Sequence, residues 1–246
     1  MFERDVVPGV HRIEHASTNC YLVESDDSFT LIDAGLPGTW PHLENALGSL
    51  GASINDIDMV ALTHGHFDHI GMVKRLHDGT DVKIWVHQAD APIVKDPSAY
   101  EPGRPRWVYP ITYPRSIPHL ARMASAGALH VPGMTPHTFH DGDDAPFSMR
   151  VTTIPVTGHT AGSCAFLLTD RDAIVTGDAL VTCDPYTGRT GPRLVAQGGT
   201  QNAPEAVRSL DHLQSTGVRN VLPGHGSVWT DGIGPACDHA RKQTVP

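Results

Sequence analysis

Cysteine is scarce in this chain: Cys20, Cys164, Cys183 and Cys237 stand far apart with no C-x-x-C pair, which excludes a disulfide framework and a thiolate zinc site. Long apolar runs are lacking too. No stretch approaches the roughly 20 apolar residues of a membrane span, and the opening MFERDVVPG carries charges at positions 3, 4 and 5 where a secretory signal would be apolar. The expectation is a cytoplasmic protein with no membrane partner. Basic residues are outnumbered, 18 Lys and Arg against 27 Asp and Glu, for a net charge of -9. Binding nucleic acid needs a concentrated cationic surface, so no nucleic-acid partner is expected and an acidic soluble enzyme fits better.

What is present is a regular alternation of short strands and amphipathic helices. GVHRIEH, NCYLVES and SFTLIDAG read as an opening meander of strands. TWPHLENALGSLG follows, with Thr39 as a candidate N-cap, Leu43, Ala46, Leu47 and Leu50 at helical spacing, and Gly51 as a stop. DMVALT and VKIWVH read as buried strands flanking a helix that begins near Ile70. MRVTTIPV, SCAFLLT, AIVTGD and NVLPGHG repeat the strand pattern, and APEAVRSLDHLQSTG the helical one. These elements fall into two similar batches, residues 10 to 95 and 149 to 240. An α/β (α+β) single domain over 1–246 accounts for that order, with two mixed β-sheets packed face to face and helices outside, a four-layer αβ/βα sandwich.

Between the batches, residues 96–148 form an exception. The segment holds nine of the twenty prolines and three of the five tyrosines, with Trp107, Arg104, Arg106, Arg115 and Arg122. Proline at that density prevents long regular structure, although IPHLARMASAGAL suits one helix. The expectation is a lid or substrate wall, with a surface excursion or a homodimer contact as the alternatives.

The histidines raise the functional question. Sixteen are present, and ALTHGHFDHIGM packs His64, His66, Asp68 and His69 into six residues. In an extended segment residues two apart point the same way, so these side chains can converge on one side of a loop. Unmetallated imidazolium groups so close together would repel; a divalent ion turns that cost into a site. TGHTAGS adds His159, IVTGDAL adds Asp178 and LPGHGS adds His225, each at the end of a strand with a glycine beside it. Five histidines and two aspartates exceed what one ion needs.

Taken in order, TLIDAG, H-x-H-x-D-H, GHT, GD and PGHG resemble the metallo-β-lactamase fold superfamily of dinuclear metallohydrolases over nearly the whole chain. The resemblance implies that His64, His66 and His159 hold one metal ion, that Asp68, His69 and His225 hold the other, and that Asp178 bridges them. It implies that Asp33 of LIDAG orients a ligand histidine. The cofactor expectation is two divalent ions per chain: zinc, with manganese, iron or cobalt as alternatives. Their bridging hydroxide would be the nucleophile, oriented by Asp68 as the catalytic carboxylate.

Within the family, Asp178 and the absent export signal stand against a dedicated β-lactamase, and His66 stands where flavodiiron members have glutamate. Only 68 residues follow Asp178, too few for the helical carboxyl-terminal domain of glyoxalase II, and the net charge disfavours a nuclease. The implied reaction is cleavage of a small ester, lactone or thioester, the chemistry of the glyoxalase II and lactonase-like branch. The alternatives are a mononuclear iron sulfur dioxygenase and a β-lactam- or phosphodiester-cleaving hydrolase. Candidate substrate contacts are Tyr186, at about the place of a tyrosine in acyl-homoserine lactonases, and Trp107, Tyr109, Arg104, Arg106 and Arg115 of the segment, whose arginines could pair with a substrate carboxylate or phosphate.

Overall fold

The computed structural model describes residues 1–25, 28–143 and 151–246. Residues 144–148, the end of the proline-rich segment, and 149–150, the start of the MRVTTIPV strand, lie outside the described residues. Seven strands form the first sheet in sequential order: β1 (Phe2–Val7), β2 (Val10–His15), β3 (Thr18–Glu24), β4 (Phe29–Ile32), β5 (Ile57–Ala61), β6 (Lys83–His87) and β7 (His137–Phe139). Pairing is antiparallel from β1 to β4 and parallel from β4 to β7. Between the strands lie helices α1 (Trp40–Ser49), α2 (Val73–Gly79), α3 (Ala91–Lys95), α4 (Val108–Thr112) and α5 (Ile117–Ser125).

The second half supplies β8 (Thr152–Pro155), β9 (Cys164–Leu168), β10 (Ala173–Gly177), the hairpin β11 (Val181–Asp184) and β12 (Arg189–Arg193), then α6 (Ala203–Ser215), β13 (Asn220–Pro223) and α7 (Ile233–Arg241). The second sheet has the order β13-β10-β9-β8, with β10 and β13 parallel.

Alternation along the strands builds the layers. Leu22, Leu31 and Val60 turn to one face and pack with Leu43 and Leu47 of α1 and Leu76 of α2. Their neighbours Tyr21, Ile32 and Ala61 turn to the other face and meet Phe166, Val175 and Leu222 of the second sheet. Ile174 and Val221 of that sheet face outward onto Leu210 and Leu213 of α6 and Ala236 of α7. A side-chain period of two on strands sandwiched between layers gives this helix, sheet, sheet, helix order. Among the described residues no helix is long and apolar enough to cross a membrane.

Several local expectations change. Thr39 precedes α1 in a helical conformation, and its side chain caps nothing; instead its hydroxyl accepts the Leu36 N–H at 3.1 Å, bracing the turn before the helix. The helix after the histidine motif starts at Val73 rather than near Ile70. The proline-rich segment is less irregular than its composition suggests. It holds α4 and α5, and through β7 it returns to the edge of the first sheet, parallel to β6.

Candidate metal centre

Four chain segments bring the donors together at the ends of paired strands. Parallel pairing of β4 with β5 sets Asp33 beside the histidine loop, and parallel pairing of β10 with β13 sets Asp178 beside His225. The two sheets are tied there, with Cys164 N–H donating to Thr63 O at 2.9 Å and Asn19 N–H to Gly224 O at 2.8 Å. The donors assemble in two buried groups, His64, His66, His159 and Asp178 in one, and Asp68, His69 and His225 in the other, with the donor atoms of each group within 4.8 Å of one another. Asp178 touches both: its Oδ2 lies 3.4 Å from His159 Nε2 and 3.1 Å from His225 Nε2, and its Oδ1 lies 3.4 Å from His69 Nε2.

Convergence does not come from extended alternation. His69 N–H donates to His66 O at 2.9 Å, so the loop turns, sending His64 and His66 to one group and Asp68 and His69 to the other.

Hydrogen bonds behind the rings fix their tautomers. The Thr63 hydroxyl donates to Asp33 Oδ2 at 2.8 Å and so accepts from His64 Nδ1 at 3.0 Å. The Thr200 hydroxyl donates to Val195 O at 2.7 Å and so accepts from His159 Nδ1 at 3.2 Å. His225 Nδ1 donates to Ser17 O at 2.6 Å, and His69 Nδ1 to Asp33 Oδ2 at 2.9 Å. Each of these four rings therefore carries a proton on Nδ1 and turns Nε2 to the centre, the arrangement that outer partners impose on ligand imidazoles. Asp33 reaches its place through a left-handed backbone, φ 59°, which a short polar side chain tolerates.

The donors suit a divalent ion. His64 Nε2, His66 Nε2, His69 Nε2 and Asp178 Oδ1 are buried with no hydrogen-bond partner, a costly condition that metal coordination relieves. Burial, reinforced by neighbouring histidines, holds His64 well below the usual imidazole range; burial also lowers His66, and brings His159 down to about 4. These three rings are neutral ligands at pH 7. Burial opposes charge on His69 and His225 as well, but Asp178 and its fellow carboxylates outweigh it, raising His69 to about 10 and His225 well above its ordinary value. Burial would raise Asp68 and Asp178, yet the charges on His69 and His225 keep both below the usual carboxylate range.

One residue that sequence reasoning missed braces the two loops. Asp90 is fully buried, and its carboxylate accepts Gly65 N–H at 2.8 Å, Gly162 N–H at 2.7 Å and the Thr160 hydroxyl at 2.7 Å. It thereby joins the loop of His64 and His66 to that of His159. No motif marks it, because an aspartate before Ala-Pro reads as an ordinary helix-start residue.

Beside the centre lies a cavity of about 530 Å³. Phe67, between two donors in sequence, and Tyr186 line it, and every other lining residue comes from the 96–148 segment, Arg106 and Trp107 among them. Tyr186 is buried, and its hydroxyl is pushed up by that burial within the field of Arg106, Asp68 and Asp178. Trp107 is 68% exposed at the rim. Tyr109 is placed underneath instead: its buried hydroxyl accepts Gly198 N–H at 2.9 Å and donates to Pro246 O at 2.7 Å. Arg104 and Arg115 are exposed and do not line the cavity. Cys183 is pushed up by burial and stays a thiol.

The family model described as the metallo-beta-lactamase superfamily matches residues 14–225. The probable metallo-hydrolase YflN of Bacillus subtilis (strain 168) is 27% identical over 238 residues, spanning 92% of this chain and 87% of that protein. The probable metallo-hydrolase YqgX of the same organism is 27% identical over 225 residues, spanning 92% and 89%. Among solved structures, the metallo-beta-lactamase family protein TTHA1429 from Thermus thermophilus superposes with a TM-score of 0.68 at 21% identity, covering 96% of this chain and 79% of that one. The BLEG-1 B3 metallo-beta-lactamase gives 0.66 at 20% identity, covering 99% and 100%. At that identity these structures share the fold.

Proposed function

Since this chain belongs to the metallo-β-lactamase superfamily and is a hydrolase, we propose that it uses two divalent ions to cleave a small ester, lactone or thioester. His64, His66 and His159 would hold one ion and Asp68, His69 and His225 the other, with Asp178 within reach of both. The observation that carries this reading is the placing of Asp178, within 3.1–3.4 Å of ring nitrogens from each group. Imidazole and carboxylate donors without thiolate suit zinc, and would also take manganese, iron or cobalt. All four cysteines are free, which suits a reducing compartment such as the cytoplasm.

Bound there, divalent ions supply Lewis acidity that polarises a substrate carbonyl and acidifies water. The chain's own groups do the rest. Asp68, with Oδ2 3.3 Å from His225 Nε2, is held ionised and can accept a proton from the attacking water and orient it. Asp33, Thr63, Thr200 and the Ser17 carbonyl hold the imidazoles in register. Tyr186, protonated and facing the cavity, can donate to a substrate oxygen. Residues 97–131 supply the substrate wall, and their apolar lining excludes water from the bound acyl group.

The test is metal content of protein purified without added metal, with turnover of a panel of thioesters, lactones, β-lactams and phosphodiesters on the same sample. About two divalent ions per chain and hydrolysis abolished by chelation are expected. Asp68→Asn should cut kcat by about 100-fold or more while retaining ions. One iron per chain with no hydrolysis would overturn the reading.

A further inference from the structure

The cavity beside the centre is apolar with one permanent charge. Leu120, Met123, Leu129, Val131, Pro110 and Phe67 give it hydrocarbon walls, and among the described residues no Asp or Glu lines it. Arg106 lines it too. Its Nε donates to Gly198 O at 3.3 Å, and its guanidinium carbon lies 4.6 Å from the centre of the Tyr100 ring and 5.5 Å from that of Phe67. Partly buried and fixed by these contacts, it has no carboxylate partner among the described residues. A partly buried guanidinium with no carboxylate beside it keeps N–H donors free for a ligand anion. The guanidinium also lies near the donor groups, because the Tyr100 ring it stacks on packs 4.1 Å from the ring of His66.

Resting on the hydrolase reading above, we propose that the substrate is an amphiphilic carboxylate: an acyl compound with a carboxylate near its scissile bond that pairs with Arg106, and an apolar aryl or alkyl body lying along Leu120, Met123 and Leu129. One planar guanidinium suits a carboxylate, which it meets with two parallel hydrogen bonds. A cavity of about 530 Å³ accommodates a molecule of small-drug size.

Two matched thioesters of phenylacetic acid test this on the metal-loaded full chain, one with mercaptoacetate as leaving group and the other with its uncharged methyl ester. The expected result is a kcat/KM preference of about 10- to 100-fold for the anionic thioester, collapsing to about twofold or less in Arg106→Met and partly restored in Arg106→Lys. Equal turnover of the two by the wild type, or a preference that survives Arg106→Met, would overturn the proposal. Calorimetric binding of 4-phenylbutyrate and 4-phenylbutanol to the wild type and Arg106→Met adds a readout independent of turnover. Tighter binding of the acid that Arg106→Met removes supports the proposal, and equal binding of acid and alcohol refutes it. If neither thioester is cleaved, the thioester form of the hydrolase reading falls, and this binding comparison alone decides the role of Arg106.

Discussion

Asp33 Oδ2 accepts the Nδ1 proton of His69 at 2.9 Å with both side chains almost completely buried. The same carboxylate accepts Thr63 N–H at 2.8 Å, so one left-handed aspartate at the end of β4 fixes both the ring of His69 and the start of the histidine loop. Its charge also helps to raise His69, making the ring a stronger donor to an ion. Asp33→Asn keeps the shape and removes the charge. It should weaken ion binding at the Asp68, His69 and His225 group by about 10- to 100-fold, and less at the other group, which Asp33 reaches only through the Thr63 hydroxyl on His64. Competition with a graded series of chelators measures this; equal weakening of both groups would count against it.

The two donor groups differ in charge, which gives the metal-free protein a defined pH dependence. His69 is raised to about 10 and His225 is raised as well, so the folded state keeps protons that an unfolded chain releases near pH 6.5. That stabilisation is complete below about pH 6.5 and is lost as the pH rises through about 10. The melting temperature of the metal-free protein should therefore fall between pH 7 and 10. Loading ions near pH 7 should release protons only from the Asp68, His69 and His225 group, since His64, His66 and His159 are already neutral. Calorimetric titration in buffers of differing ionisation enthalpy reads the proton count. No release at either step would contradict the assignment.

The legible parts of this site are those that side chains write into short motifs. His64, His66, Asp68, His69, His159, Asp178, His225 and Asp33 are each flagged by their neighbours, and the structure places the first seven together in the two groups described, with Asp33 behind His69. The supports are less legible because they work through backbone or from a distance. Ser17 contributes only its carbonyl, from a turn in which Ala16 and Ser17 both take positive φ, and nothing in their side chains announces that turn. The strands packed on both faces show as apolar runs, whereas β12, RTGPR, reads as a loop because an edge hairpin tolerates glycine and proline. Arg106 and Arg115 look equivalent in sequence; only the path of the segment lines the cavity with one and leaves the other exposed.

Asp90 offers a separate test, since it touches no donor. Asp90→Ala would leave two buried N–H groups and the Thr160 hydroxyl without their acceptor, a loss of about 3 kcal/mol or more. Chemical denaturation of the metal-free protein should show it as a lower midpoint with an unchanged slope. Asp90→Asn keeps one acceptor oxygen and should lose less. Equal stability of Asp90→Ala and the wild type would mean that the loops are held by other contacts.

Gly224 of the PGHG motif supplies the sharpest steric test. It is not there for a left-handed backbone: a Cβ at this position would lie 2.2 Å from Asp178 Oδ1, 2.8 Å from His69 Cε1 and 3.0 Å from the carbonyl carbon of Gly177. Two of these neighbours belong to the donor set and the third is the backbone of β10, so nothing can move aside without disturbing the centre. Gly224→Ala should therefore fold, because the core layers lie elsewhere, but bind fewer ions as Asp178 is pushed from its place between the groups. The expected outcome is a fall from about two ions per chain to about one or none, read by elemental analysis alongside an unchanged far-ultraviolet circular dichroism spectrum. Full metal content in that variant would show that the Asp178 carboxylate is free to rotate, and the rigid placing of that bridge would have to be abandoned.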